Sequence, residues 1–203
     1  ENSDRAFEEE VMLSGFGNAS VKAEGAAVEF DNANETFTAR YTHETIALAF
    51  AITEEAVEDN LYDRIATRYT KALARSMANT KQIKAANVLN NAFSSSFLGG
   101  DDKELCATDH PTIGAGDQKN ELSTSADLSE TSLEQALIDI GAIKDERGFK
   151  IAAKGMKLII PSALQFTAER LMKTANRVGT ADNDINAIKT NGVIPQGYVV
   201  NNY

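Results

Sequence analysis

The chain reads as an α+β fold, and three observations carry that reading. Residues 25 to 52 alternate apolar and polar side chains around a turn, a glycine- and proline-free helical stretch follows, and helix and strand alternate after residue 125. The first feature is unusual because no globular core is attached to it in sequence. A lone two-stranded ribbon is marginal in water, so its faces are expected to rest on something else. The economical seat is a second copy of the same protein.

In chain order, residues 1–20 carry the acidic run Glu8-Glu9-Glu10 and the glycine-rich break Ser14-Gly15-Phe16-Gly17-Asn18, and read as an arm with little structure of its own. Ala26, Val28 and Phe30 alternate with Ala27, Glu29 and Asp31 as the first strand of the ribbon. Asp31-Asn32-Ala33-Asn34 supplies turn chemistry, since Asn and Asp bond locally to the backbone. The return strand, Thr36 to Ile52, would reach roughly 55 Å at about 3.3 Å per residue. Its apolar positions switch parity from Phe37, Ala39 and Tyr41 to Ile46, Leu48, Phe50 and Ile52, so a bulge or exit is expected near His43-Glu44-Thr45.

Thr53 is an N-cap candidate, with Glu54 and Glu55 complementing the positive helix end. One long helix is expected from there to about Phe93, with Leu61, Ile65, Tyr69, Leu73, Met77, Ile83 and Leu89 near helical spacing. Imperfect heptads that break at Thr80 argue against a coiled coil. Residues 94–124 are loop-rich. Asp127 to Ala142 reads as a helix capped near Ser129 or Thr131, and Asp145-Glu146-Arg147-Gly148 as a turn. A short buried strand at Leu158–Ile160, a helix over Ser162–Thr174, a short helix over Asp182–Lys189 and a strand over Val193–Val200 complete the reading.

Composition narrows the class. The 203 residues are 42% hydrophobic and 25% charged, ordinary globular values. A net charge of −10 argues against a surface that grips phosphates. One cysteine excludes an internal disulfide framework and fits a reducing compartment. No apolar run approaches the ~20 residues of a membrane span, and no signal peptide opens the chain. Glu1 is not an initiator and Gly197–Tyr203 reads as a strand cut partway, so truncation at both ends is expected.

The catalytic inventory is empty. Cys106 and His110 lack the further ligands that zinc requires and the orienting group that a nucleophilic cysteine requires. Asp182-Asn183-Asp184-Ile185-Asn186 fails as a calcium loop because its sixth position is Ala187 and its twelfth Val193; helix capping by Asp182 or Asp184 explains it better. Gly15-Phe16-Gly17 and Gly114-Ala115-Gly116 do not complete a dinucleotide fingerprint. Arg64, Arg68, Arg75, Lys81 and Lys84 form a basic run that reads as a solvated face with Glu58 and Asp63 at hand. Phe37 and Tyr41 around Arg40 suit contact with another protein copy better than base stacking, given Glu29, Asp31, Glu35 and Glu44 nearby. Phe30, Phe37, Arg40 and Tyr41 are therefore the expected subunit-contact residues. No cofactor, metal or enzymatic activity is expected.

Several blocks resemble a known family when taken in order: Ala39 to Leu48 running into Ile52 to Asp63, Thr108-Asp109-His110-Pro111 with its glycine-rich loop, Phe166 to Arg170, and Gly179 to Ala187. The chain resembles the major capsid proteins of tailed bacteriophages, most closely the Mu-like major head subunit group. The resemblance implies that fold: an N-terminal arm (1–20), an extended β-hairpin loop with its strand into the body (21–52), a peripheral domain with a long spine helix (53–121) and a mixed α/β axial domain (122–203). It implies a self-assembling icosahedral shell of hexamers and pentamers, built in the host cytoplasm and found in the virion. Double-stranded DNA would be enclosed without specific binding, with scaffold, portal or decoration proteins as further partners and no membrane. The family's strands after the axial domain are missing, which fits truncation. One branch cross-links subunits through a lysine on the extended loop; no lysine occurs between Lys22 and Lys71, so the expected ribbon tip lacks that group. A net acidic wall would repel packaged DNA and let it slide. A non-viral compartment shell of the same fold and a small hydrolase or ligand-binding domain in 122–203 are the competing readings.

Overall fold

The computed structural model describes residues 3–59, 62–177, 179 and 184–203. Two units separate. One comprises the chain's start up to Phe7, Thr42–Asn91 and Tyr203; the other comprises Glu8–Tyr41 and Ala92–Asn202.

Strands β1 (Phe7–Leu13) and β2 (Glu35–Thr42) form a two-stranded sheet. His43 N donates to Ala6 O at one end (3.1 Å) and Ser14 N to Asn34 O at the other (2.8 Å), so the strands run antiparallel. This moves the hairpin. The first strand is not Gly25–Asp31 but Phe7–Leu13, which was expected to lie in an arm with little structure of its own. Ala-rich alternation is a weak strand signal because alanine is depleted in strands, and Phe30 is 96% exposed with no strand opposite it. The glutamate run disguised the true first strand; Glu9 there accepts from Arg40 Nε at 2.7 Å across the ribbon. The return strand is eight residues, about 26 Å, and ends at Thr42 rather than Ile52. The chain leaves the ribbon where the apolar parity changes.

In the first unit, irregular residues 43–53 run antiparallel along a helix of 29 residues, α2 (Tyr62–Asn90), about 43 Å long. Glu44 pairs with Lys84, and the Phe50 ring meets Tyr69 edge-on, centroids 5.8 Å apart. Leu73 and Met77 share that side of α2 and are half-buried. The single helix expected from Thr53 onward is divided, because α1 (Glu54–Glu58) stops at Asp59. Aspartate bonds readily to nearby backbone and suits such a stop. Thr53 occupies the N-cap position without a side-chain bond. Leu61 and the Ile65 side chain, expected on the apolar stripe, lie outside the described residues.

The second unit holds α3 (Glu130–Ala142), β3 (Leu158–Pro161), a 3-10 turn at Ser162–Leu164, α4 (Gln165–Lys173), α5 (Ala187–Thr190) and β4 (Tyr198–Asn201). Ser129 caps α3 by exchanging bonds with Ser132, as its sequence suggests. β3 and β4 pair in parallel, Leu158 opposite Tyr198 and Pro161 opposite Asn201. Leu133, Ile188 and Ile194 form the core, with Leu137, Leu158 and Met172 packed against it. Gly155 lies so close to α3 that a Cβ would sit 2.6 Å from Leu137 Cδ2.

Three expectations change here. Phe166 is 72% exposed; Ala168, at 0%, is the fully buried residue of α4, and Met172 is its side chain packed against the core. The short helix begins only at Ala187 and is capped by Asn186, not Asp184; Asp182 lies outside the described residues. Asn186 Oδ1 accepts from Ile188 N and Lys189 N, while Nδ2 donates to Leu171 O (2.7 Å) and Thr174 O (3.1 Å). An amide satisfies both needs at once, and an aspartate could meet only one. The last strand starts at Tyr198 rather than Val193.

Candidate functional site

Residues 14–34 form the loop joining β1 to β2, and its root is knotted by polar contacts. Ser14 is 2% exposed, and its Oγ accepts from Asn34 N at 3.0 Å. Asp31 gathers the two arms, accepting from Gly17 N (2.6 Å) and Asn32 N (2.8 Å). Those two N–H groups, together with the nearby Arg147 charge, hold its carboxyl below the usual carboxylate range.

Arg147 reaches this root from far along the chain. Its Nε donates to Gly15 O (2.9 Å) and its Nη2 to Asn32 O (2.7 Å). The turn that carries it was legible in sequence: Asp145 Oδ1 accepts from Arg147 N and Phe149 N, and Gly148 takes φ +89°. What the turn holds was not legible, because the partners are 132 and 115 residues away. A second seat lies under β2, where a Cβ on Gly100 would come within 3.0 Å of the Ala39 backbone. Only glycine permits that approach.

Arg147→Ala is expected to lower the unfolding midpoint by a few degrees, since charge-assisted bonds are worth about 1.5–3 kcal/mol and each kcal/mol shifts a domain of this size by about 2–4 °C. Limited proteolysis within 14–34 should accelerate about tenfold. Arg147→Lys should rescue only part of both effects, because a single ammonium cannot fork to two separate carbonyls. Unchanged proteolysis would show that the root holds without the arginine.

Beyond the root the loop presents bare apolar side chains, with Val21 at 100% and Phe30 at 96% exposure. Of the other expected contact residues, Tyr41 is exposed, Phe37 half-buried, and Arg40 pairs with Glu9 of its own ribbon (2.5 Å). The structure puts all three on β2 and Phe30 in the loop, so they do not form one cluster by secondary structure. Lys22 lies in this loop and is exposed. The loop between the paired strands therefore does carry a lysine, contrary to the expectation for the ribbon tip.

The Cys106–His110 pair does not form a site. His110 Nδ1 lies 2.5 Å from Asp101 Oδ2, in a loop braced by bridges between Leu98 and Glu104 and between His110 and Gln118. Burial, with the Glu121 charge adding to it, pushes the Cys106 thiol up, the opposite of what a nucleophile needs. Among the described residues no cluster of His, Cys, Asp and Glu could hold a metal ion, and no helix is long and apolar enough to cross a membrane.

A family model described as phage capsid protein matches residues 35–203. The chain belongs to the phage capsid protein family. The capsid of bacteriophage JBD30 has the same fold: the match has a TM-score of 0.71 at 11% identity, covering 98% of this chain and 86% of that one. A second structure, the JBD30 capsid decorated with minor capsid protein trimers, matches with a TM-score of 0.67 at 12% identity, covering 99% and 87%. No curated protein sequence matched. The capsid protein is thus a subunit of a phage shell, which is a structural role. The family points to the virion capsid as its location.

Proposed function

We propose that this capsid protein is the major head subunit, assembling with copies of itself as hexamers and pentamers into the icosahedral shell that encloses the phage genome, and that it belongs to the Mu-like group. The observation that carries the proposal is the family match over residues 35–203. It is joined by the bare apolar side chains of the 14–34 loop, where Val21 is 100% and Phe30 96% exposed, as a segment seated on another subunit requires.

In this reading the β1–β2 ribbon with its 14–34 loop is the extended loop that crosses to the adjacent subunit, with Phe30 in the loop and Phe37 and Tyr41 on β2 as its contacts. Arg40 stiffens the ribbon through Glu9. Helix α2 is the spine of the peripheral domain, and residues 122–203 form the axial domain. The decorated JBD30 capsid supports decoration proteins as a further partner class. Assembly in the host cytoplasm follows from the same reading.

Electron microscopy of the purified protein tests it: closed particles, or rings of five and six, are expected, with nucleic acid inside particles taken from infected cells. A compact monomer at high concentration overturns the proposal. Particles filled with cargo protein instead of DNA would make this a compartment shell.

A further inference from the structure

The net charge conceals a segregation. Residues 64–100 contain six lysines and arginines and no carboxylate, leaving 14 bases against 30 acids elsewhere, a net −16. All six lie on α2. Arg68, Lys71 and Arg75, with Asn79 and Gln82, fall within about 80° of arc at 100° per residue, a row about 21 Å long. Tyr69 and Lys84, which touch residues 43–53, lie on the opposite side. The five row residues are exposed. Glu58 and Asp63 were the partners expected for this run. Yet no ion pair among the described residues engages Arg68, Lys71 or Arg75. The Asp63 and Arg64 side chains lie outside the described residues.

We propose that this face of α2 is a sequence-independent track for the phosphate backbone of double-stranded nucleic acid. The inference rests on the shell reading above, which puts DNA beside the subunit, and adds where the subunit touches it. Two features choose phosphate over an acidic protein. Protein interfaces are anchored by apolar or aromatic side chains at their centre; along the row α2 itself offers nothing apolar larger than Ala72 and Ala78, and Tyr203 is the one aromatic lining the groove beside Arg75, Asn79 and Gln82. Arg, Lys, Asn and Gln are all donors that serve phosphate oxygens, and 21 Å spans about six phosphates of one strand at ~3.4 Å each. The acidic remainder does not cancel the row. Screening falls off over about 8 Å at physiological salt, so only the nearest charges count. A shallow groove of about 660 Å³ beside Arg75, Asn79 and Gln82 leaves the face accessible. An acidic subunit with one basic row would hold DNA loosely in place without trapping it.

The test measures the affinity of the full chain for a fluorescent 20-base-pair duplex of arbitrary sequence across salt concentrations. The variant Arg68→Gln/Lys71→Gln/Arg75→Gln is compared with a charge-matched control, Lys150→Gln/Lys154→Gln/Lys157→Gln. The track variant should bind several-fold more weakly, with the slope of log affinity against log salt reduced by about 2.7, close to 0.9 per lost contact. If that triple variant unfolds by circular dichroism, Arg75→Gln alone should reduce the slope by about 0.9. Equal weakening in both triples, no duplex binding by the wild type, or polyglutamate of matched charge competing as well as the duplex would each overturn the track. Particle closure is scored separately: the track variant should still form shells. Closed shells with unchanged duplex affinity sink the track alone, whereas a wild type that never closes sinks the shell reading.

Discussion

Replacing residues 16–32 with an Asn-Gly turn is expected to leave folded subunits that no longer close into shells. Asn-Gly favours the type I′ turn that joins two antiparallel strands directly, so β1 and β2 can stay paired through the Ser14–Asn34 and Ala6–His43 rungs. The excision removes Phe16, Val21, Val28 and Phe30, all of them exposed and none of them in the core. Helix content by circular dichroism should therefore be unchanged, and the unfolding midpoint should fall by no more than it does for Arg147→Ala, because the excision also removes Asn32 O, one of the two carbonyls that Arg147 holds. Assembly should fall from closed particles to monomers or small oligomers by electron microscopy and sedimentation. Shells that form at the wild-type yield would show that the loop has no seat on a neighbour.

The second large effect is on folding. Asn186→Ala should destabilise the second unit by about 2–4 kcal/mol, because one buried amide caps α5 and also satisfies two carbonyls at the end of α4. At about 2–4 °C per kcal/mol this is a fall of roughly 5–15 °C in the unfolding midpoint. Asn186→Asp separates the two jobs. It keeps the capping oxygen but turns a carboxylate toward Leu171 O and Thr174 O, so it should be at least as damaging as alanine. A wild-type midpoint for Asn186→Asp would mean that capping alone matters. The side chain is 3% exposed, so water cannot readily replace the lost bonds.

Much of the helical half was legible because its signals are local. Ser129 sits three residues before Ser132, and the capping exchange between them needs nothing else in the chain. Asp145-Glu146-Arg147-Gly148 closes on itself in the same way. The ribbon was misplaced for the complementary reason. A strand is completed by its partner, and Glu8–Glu10 carries no strand signal until Arg40, 31 residues on, is brought opposite Glu9. Alternation at Val28 and Phe30 looked stronger, yet no strand faces them. The candidate site divides along the same line: Phe30 and Tyr41 could be picked out as residues without a seat in their own chain, while Arg147 at the loop root could not. The basic row on α2 was visible as composition, and its lack of carboxylate partners only in three dimensions.

The sequence by itself determined the α+β class, a long helix, the Ser129 cap of α3, the turn at 145–148, and an ordered set of blocks that mark a phage capsid protein. These follow from propensity and periodicity, which act within a turn or two of the chain. Only the tertiary structure decided which strands pair, which asparagine serves as the hub of the core, and how one arginine ties the loop to the body. Such contacts join residues tens to more than a hundred positions apart, and the free energy that selects them exists only once the chain has brought them together.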